Sequence, residues 1–408
     1  MKKVILSAFA CDPTQGSELG NGWNWAIGLS ENDFEVHCFT RGVGQHNIEN
    51  QEVPSNLFFH YVKMPLGLEF LYGFSKPTMY LYYVLWQWLA YRKARALNKK
   101  SNFHLSHHVT WGSVQLGSFM YKLPIPFVFG PTGGGQLSLV AFKQYFGSSW
   151  VDEQKREKIS RLLVRYNPAC KTMLKSASAV WVSNSDTGAL VKGLSAAPVY
   201  YTLDSALPVS FFPKEFKPKV CESGVLKLLW VGRLMPRKGV LMIVEVMKQL
   251  KQYPGITLTI VGDGEQGDAL KAAINENGLS TTVNWKGKVE FDEIKGFYES
   301  HDVFLFASLR DSGPVQVLEA MAYGMPVVTI NLHGQGSIVN DETGFRCACD
   351  TPEQAIKELA EAILTLYNTP EMVTSMSKAA NKFALEQTLD NKIRRVIDMS
   401  YPNNTSGT

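Results

Sequence analysis

The chain has 408 residues, of which 45% are hydrophobic and 19% charged, with a formal net charge of +4. That length predicts two or three domains, each large enough for its own core. The composition excludes a disordered chain, and a surplus this small does not argue for a nucleic-acid binder, which normally shows a strong basic stripe.

The apolar run at residues 3–9 is short and leads straight into a Gly-rich turn. It reads as a buried first strand rather than a signal peptide. A helix at 23–30 and a strand at 35–40 follow, with further strand signals at 57–62, 104–109, 127–130 and 179–183. Residues 68–100 contain MYLYYVLWQWLAYRKARALNKK, which is too short to span a bilayer. Two readings stand open for it: an interfacial helix against anionic lipid, or a core helix with a basic C-terminus.

Residues 211–224, FFPKEFKPKVCESG, are polar with two prolines and mark a linker. The pattern then restarts: strand 226–231, helix 240–253, strand 257–261, helix 267–277, then strands 283–286, 303–306 and 325–330. Such alternation predicts an α/β chain of two doubly wound halves, with ligands outside the carboxyl ends of the strands. The expected division is an N-terminal domain at 1–215, a C-terminal domain at 216–385, a helix at 386–400 returning to the first domain, and a loose tail at 401–408. The six dispersed cysteines read as free thiols of a reducing compartment, since Cys347 and Cys349 lack the His or Cys partners of a zinc site.

The most informative segment is DSGPVQVLEAMAYGMPVV, with Asp311 and Glu319 separated by seven residues. Pro314 suits the first turn of a helix, which places Asp311 in the loop before it and Glu319 inside it. A helix N-terminus flanked by two carboxylates suits a nucleotide sugar: N–H groups take the diphosphate, carboxylates take hydroxyls. In VGRLMPRKGV, Arg233 and Lys238 flank a turn leaving a strand, where cations can stabilise a departing diphosphate. Gly262, Asp263 and Gly264 follow the next strand and suit a tight turn. In the first half, Gly16, Gly20 and Gly22 lie between the first strand and its helix, and GPTGGGQ at 130–136 forms a second Gly-rich loop. His107 and His108 close the strand HLSHHV; they must point to opposite faces, so one of the two is expected to reach a ligand.

These segments together resemble retaining glycosyltransferases of family 4. The resemblance rests on GSELGNGWNWA, GPTGGGQ, VGRLMPRKG, the Asp311–Glu319 pair with LEAMAYGMPVV, and DETGF at 341–345. It implies the GT-B fold, two facing Rossmann-like domains with a cleft between them. It also implies an acceptor held by the N-terminal domain and a nucleotide-diphosphate sugar held by the C-terminal domain. The donor residues it implies are Gly16 at the phosphates from the opposite domain, Arg233 and Lys238 at the diphosphate, Gly262, and Lys288 and Val289 in a loop near the base. Asp311 would take the sugar hydroxyls, Ser312, Gly313 and Val315 would lie near the phosphates, and Glu319 would take the ribose hydroxyls. The family's active-site histidine matches His108 or His107, so these two and Asp311 are the catalytic candidates. Three departures stand out: Asp311 where Glu is usual, Pro314 where a Gly N–H donates, and Ser337 of HGQGSIV where Glu is common.

The function so implied is transfer of a sugar, with retention at the anomeric carbon, in cell-envelope polysaccharide, exopolysaccharide or lipid-linked glycan synthesis. Nothing resembles a D-x-D metal clamp, so neither a metal nor a cofactor is expected. The expected partners are the donor and a glycan or lipid-linked acceptor, with no nucleic acid. The expected location is cytoplasmic, with a peripheral position on the inner face of an anionic membrane if residues 68–100 are interfacial. A sugar-nucleotide epimerase and a non-catalytic nucleotide-sugar binding protein share the architecture.

Overall fold

A computed structural model describes residues 1–14, 17–204 and 206–402. It divides into two compact units. The first comprises Met1–Gly135, Lys158–Ser205 and Leu389–Thr408; the second comprises Gln136–Glu157 and Ala206–Thr388. The contiguous division expected from sequence therefore misses one excursion. Phe142, Tyr145, Phe146 and Trp150 are buried in the core of the second unit, and the Tyr145 hydroxyl donates to Glu245 at 2.9 Å. Apolar periodicity reports that such residues are buried, but not in which core.

The first unit is built on seven parallel strands: β1 Lys2–Ala8, β2 Phe34–Arg41, β3 Leu57–Val62, β4 Leu105–Thr110, β5 Phe127–Thr132, β6 Ala179–Val182 and β7 Val199–Tyr201, in spatial order β3-β2-β1-β4-β5-β6-β7. Helices cover both faces, so β4 and β5 are buried at every residue and show no polar alternation. On one face the helix Ser17–Glu31 packs Trp25, Ala26 and Leu29 with Ile393 and Val396 of the helix Leu389–Ser400. A Cβ on Gly28 would lie 2.2 Å from Ile393 Cδ1, so a larger residue there would have to push that side chain aside. The other face is covered by the helix Lys76–Asn98, which buries Tyr82, Tyr83, Trp86, Ala90 and Ala94. Its opposite side leaves Tyr80, Leu81, Val84 and Trp88 exposed. Among the described residues no helix is long and apolar enough to cross a membrane.

The second unit has six parallel strands: β8 Leu226–Val231, β9 Ile256–Val261, β10 Val283–Gly287, β11 Val303–Phe306, β12 Val327–Ile330 and β13 Gly344–Cys347, in order β10-β9-β8-β11-β12-β13. Sequence reading places all of these except β13, whose GFRC lacks the apolar run that marks the equally short β11 and β12. It also misses β7 in the first sheet, which is only three residues long. In both sheets the strand order reverses beside the first strand, which is where ligands of doubly wound sheets bind. All six cysteines are unpaired thiols.

Candidate functional site

The reversal in the second sheet falls between β8 and β11. From β8 the chain passes Gly232 and Arg233 into a short 3₁₀ turn, Pro236–Lys238, and then into the helix Val240–Gln249. Gly239 joins turn and helix with φ 69°, and a Cβ there would lie 2.2 Å from the Ala307 carbonyl oxygen. That glycine lets the turn lie directly on the end of β11. Lys238 is thereby delivered to Asp311, and the two form an ion pair. Arg237 Nη1 stands 3.7 Å from the same Asp311 oxygen and donates to the Arg310 carbonyl at 3.1 Å. Burial lowers the pKa of Lys238, and the Asp311 carboxylate works against that shift. With a side chain only 9% exposed, Lys238 is a fixed cation rather than a solvated turn residue.

The helix carrying Glu319 runs Val315–Ala322, with Pro314 as its N-cap at φ −67°. Pro314 thus stands one position before the first turn, where its missing N–H again costs nothing. Asp311 lies in the loop, and its Oδ1 accepts from the Ser312 N–H at 3.1 Å. Glu319 is 9% exposed and accepts from the Tyr298 hydroxyl at 2.8 Å. Burial raises its pKa; the Tyr298 bond lowers it. A second loop braces this one. A Cβ on Gly334 would lie 1.9 Å from the Ser312 carbonyl oxygen, and the Gly334 N–H donates to the Asp311 carbonyl at 3.2 Å. Gln335 holds both backbone groups of Ser308, accepting from its N–H at 3.2 Å and donating to its carbonyl at 2.8 Å. Ser337, in the place where the resembled family has Glu, donates back to the His333 carbonyl at 3.1 Å.

The remaining predicted positions lie along the same sheet edge. Arg233 is exposed. Gly262 follows β9 at φ 131°, with its missing Cβ 1.8 Å from the Gly232 carbonyl oxygen, and its own carbonyl accepts from Trp285 Nε1 at 2.9 Å. Lys288 is exposed and Val289 half-buried, just after β10. Ser312, Gly313 and Val315 are half-buried beside Asp311. Gly16 lies outside the described residues. Sequence reading missed Arg237, Tyr298 and Gln335. It also missed the pairing of Arg310 with Glu153, in which Nη2 and Nε stand 2.9 and 2.8 Å from the two carboxylate oxygens. Partners this distant in sequence leave no local signal. Among the described residues, no group of three or more His, Cys, Asp or Glu could hold a metal ion.

His107 and His108 do point to opposite faces of β4, but each enters a packed layer and both are fully buried. His107 Nε2 donates to the Gly130 carbonyl at 2.7 Å, and Nδ1 accepts from the Tyr401 hydroxyl at 2.7 Å. His108 Nδ1 bonds the Ser7 hydroxyl at 2.9 Å, and Nε2 lies 3.3 Å from both the Tyr83 hydroxyl and the Trp111 carbonyl. Burial pushes His107 down to about 3 and His108 down to about 4. Both rings are neutral when folded, whereas in the unfolded chain they titrate near ~6.5. Below that pH the unfolded state binds more protons. Stability is therefore expected to fall as pH drops from about 6.5 toward 4, by roughly 1.4 kcal/mol per pH unit for each ring. Denaturant midpoints from pH 7 to pH 4 check this: the loss should be shallower in His107→Gln than in the parent.

Residues 212–383 match the family of glycosyl transferases group 1. An uncharacterized glycosyltransferase of Haemophilus influenzae is 31% identical over 175 residues, covering 42% of this chain and 47% of the relative. The amylovoran biosynthesis glycosyltransferase AmsK of Erwinia amylovora is 30% identical over 185 residues, 42% of this chain and 45% of AmsK. The match thus spans less than half the length of either relative. Among solved structures, HepE of Anabaena in complex with UDP superposes with a TM-score of 0.63 at 16% identity, over 98% of this chain and 99% of that one. The chain has the two-domain α/β fold of that structure, GT-B.

Proposed function

We propose that the chain is a retaining glycosyltransferase of family 4, moving a sugar from a nucleotide-diphosphate donor to an acceptor hydroxyl. The observation that carries this is the buried Lys238–Asp311 pair, with Arg237 beside it, at the switch point of the second sheet. Lys238 has three N–H donors and Asp311 takes one, so the others are open to a diphosphate. Arg233, exposed at the end of the same strand, adds a second cation. Asp311 then holds a sugar hydroxyl, and Glu319, oriented by Tyr298, holds the ribose hydroxyls. Gly262, Lys288 and Val289 line the base end of the same edge, and Ser312, Gly313 and Val315 line the phosphate end.

In the reaction the bond from the anomeric carbon to the diphosphate breaks, and the acceptor oxygen bonds the same face of that carbon. The acceptor proton passes to the departing phosphate oxygen, so no separate base is required. His107 and His108 shape the first unit in this reading, since both nitrogens of each ring are already engaged. UDP is the first nucleotide to test, because the Anabaena structure that shares this fold holds it. The likeness to AmsK supports a role in exopolysaccharide or cell-envelope glycan synthesis. The exposed Tyr80, Leu81, Val84 and Trp88, continued by the exposed Arg92, Lys93, Arg95, Lys99 and Lys100, support a peripheral position on an anionic membrane.

Calorimetry with UDP-, GDP- and ADP-sugars, followed by turnover with isolated membranes, tests the reading. One nucleotide should bind, and the product should keep the donor's anomeric configuration. Failure of every nucleotide to bind overturns it, and an epimerised donor in the absence of acceptor replaces transfer with epimerisation.

A further inference from the structure

The first unit has its own switch point, between β1 and β4, and the side chains that end there carry a site of their own. β1 runs on into Phe9, β2 ends at Arg41, and β4 leads to Trp111. Arg41 is only 7% exposed. Its guanidinium carbon stands 4.5 Å from the centre of the Phe9 ring and 4.2 Å from that of Tyr72. Tyr72 and Trp111 are half-buried, with ring centres 6.2 Å apart.

An arginine buried this deeply ordinarily pairs with a carboxylate, because an unpaired charge loses its hydration without return. Glu18 feels the Arg41 charge through space, but neither it nor Glu69 forms an ion pair or hydrogen bond with the guanidinium, and each is bonded by other groups. Glu69 accepts from the Met64 N–H at 2.9 Å and from the Tyr82 hydroxyl. Glu18 accepts from the Gly112 N–H at 3.1 Å. Arg41 itself makes one hydrogen bond, from Nε to the Phe9 carbonyl at 3.2 Å. Its two terminal NH₂ groups have no acceptor among the described residues. The stacking on two rings holds the guanidinium plane in place, which leaves a preorganised fork of the shape that binds phosphate or carboxylate through paired hydrogen bonds. The exposed Lys63 adds a second cation: its stem passes over Gly42, where a Cβ would lie 2.8 Å from Lys63 Cγ.

We propose that Arg41, framed by Tyr72 and Trp111, recognises an anionic group on the acceptor, either the phosphate of a lipid-linked sugar or the carboxylate of an acidic sugar. The neighbouring sugar ring would lie against the two half-buried aromatic rings. That the ligand is an acceptor rests on the glycosyltransferase reading; the preference for an anion rests on Arg41 alone.

The test is a titration of the full chain, followed by ligand-observed NMR, with glucose 1-phosphate, glucuronic acid and methyl glucoside. It is done with and without saturating UDP, so that binding at a nucleotide site is separated from binding here. The parent should bind at least one charged probe on the order of tenfold more tightly than the neutral one, with UDP present or absent. The phosphate probe winning identifies a phosphorylated acceptor, and the carboxylate probe winning identifies an acidic sugar. Arg41→Gln should erase the preference. Arg41→Lys, which keeps the charge but not the fork, should retain only part of it and serves if the glutamine variant does not fold. Equal binding of all three probes by the parent, or an unchanged preference in both variants, overturns the proposal. If UDP fails to bind the parent while the anion preference remains, the donor reading falls and this site stands.

Discussion

Lys238→Ala is expected to lower sugar transfer by a factor on the order of 10²–10³ while leaving the chain folded. The loss should appear in kcat, because the charge that Lys238 is proposed to stabilise grows as the diphosphate departs. The side chain cannot be replaced by water alone. It stands nearly buried against Asp311, above the ring of Phe306 with Nζ 5.1 Å from its centre, and on a turn that Gly239 holds against β11. Its removal leaves Asp311 with Arg237 as its remaining cation, at 3.7 Å. The carboxylate proposed to hold a sugar hydroxyl is then drawn toward a guanidinium. Steady-state rates at saturating acceptor, beside an unfolding midpoint for each variant, check the prediction. Transfer at the parent rate in a folded variant would show that Lys238 serves only to neutralise Asp311.

Glu319→Ala is expected to weaken nucleoside diphosphate binding about 10- to 100-fold, the span of a lost hydrogen bond to a charged group. The decisive comparison uses the 2′,3′-dideoxy nucleotide. That ligand lacks the hydroxyls Glu319 is proposed to hold, so parent and variant should bind it alike. A difference that persists with the dideoxy ligand would place Glu319 elsewhere in the mechanism. The same substitution leaves the Tyr298 hydroxyl buried without its acceptor, which costs roughly 1–3 kcal/mol of stability. Glu319→Gln keeps the shape and an oxygen acceptor for Tyr298, and separates the loss of charge from the loss of packing.

How much of this was legible in the sequence depended on distance along the chain. Most strands of both sheets, though not β7 or β13, announced themselves as short, largely apolar runs, as expected of a parallel sheet covered on both faces. The helix holding Glu319 was legible from Pro314 and from the residues either side of it. Lys238 and Asp311 were each legible as members of motifs, yet their pairing was not, since it depends on how β8 and β11 lie side by side. The first helix begins at Ser17 rather than at 23, because its opening turn, SELGNG, is polar and Gly-rich and carries no apolar stripe. Arg41 was invisible for a different reason. A single arginine at the end of a strand looks like a surface residue until Phe9 and Tyr72, from distant parts of the chain, close over it. The histidines show the converse: alternation along β4 correctly sent them to opposite faces but could not reveal that Tyr401 and Ser7 would occupy their nitrogens.

The helix Leu389–Ser400 covers a face of the first sheet that is otherwise made by residues before Ser205. During synthesis on the ribosome, the helix Ser17–Glu31 and the sheet beneath it must therefore wait without this last helix while the rest of the second unit is translated. The second unit has its later strands in hand sooner, and should mature first. A nascent chain halted before Leu389 should still expose the first sheet to chaperones, and the last step of folding should be the docking of a single amphipathic segment.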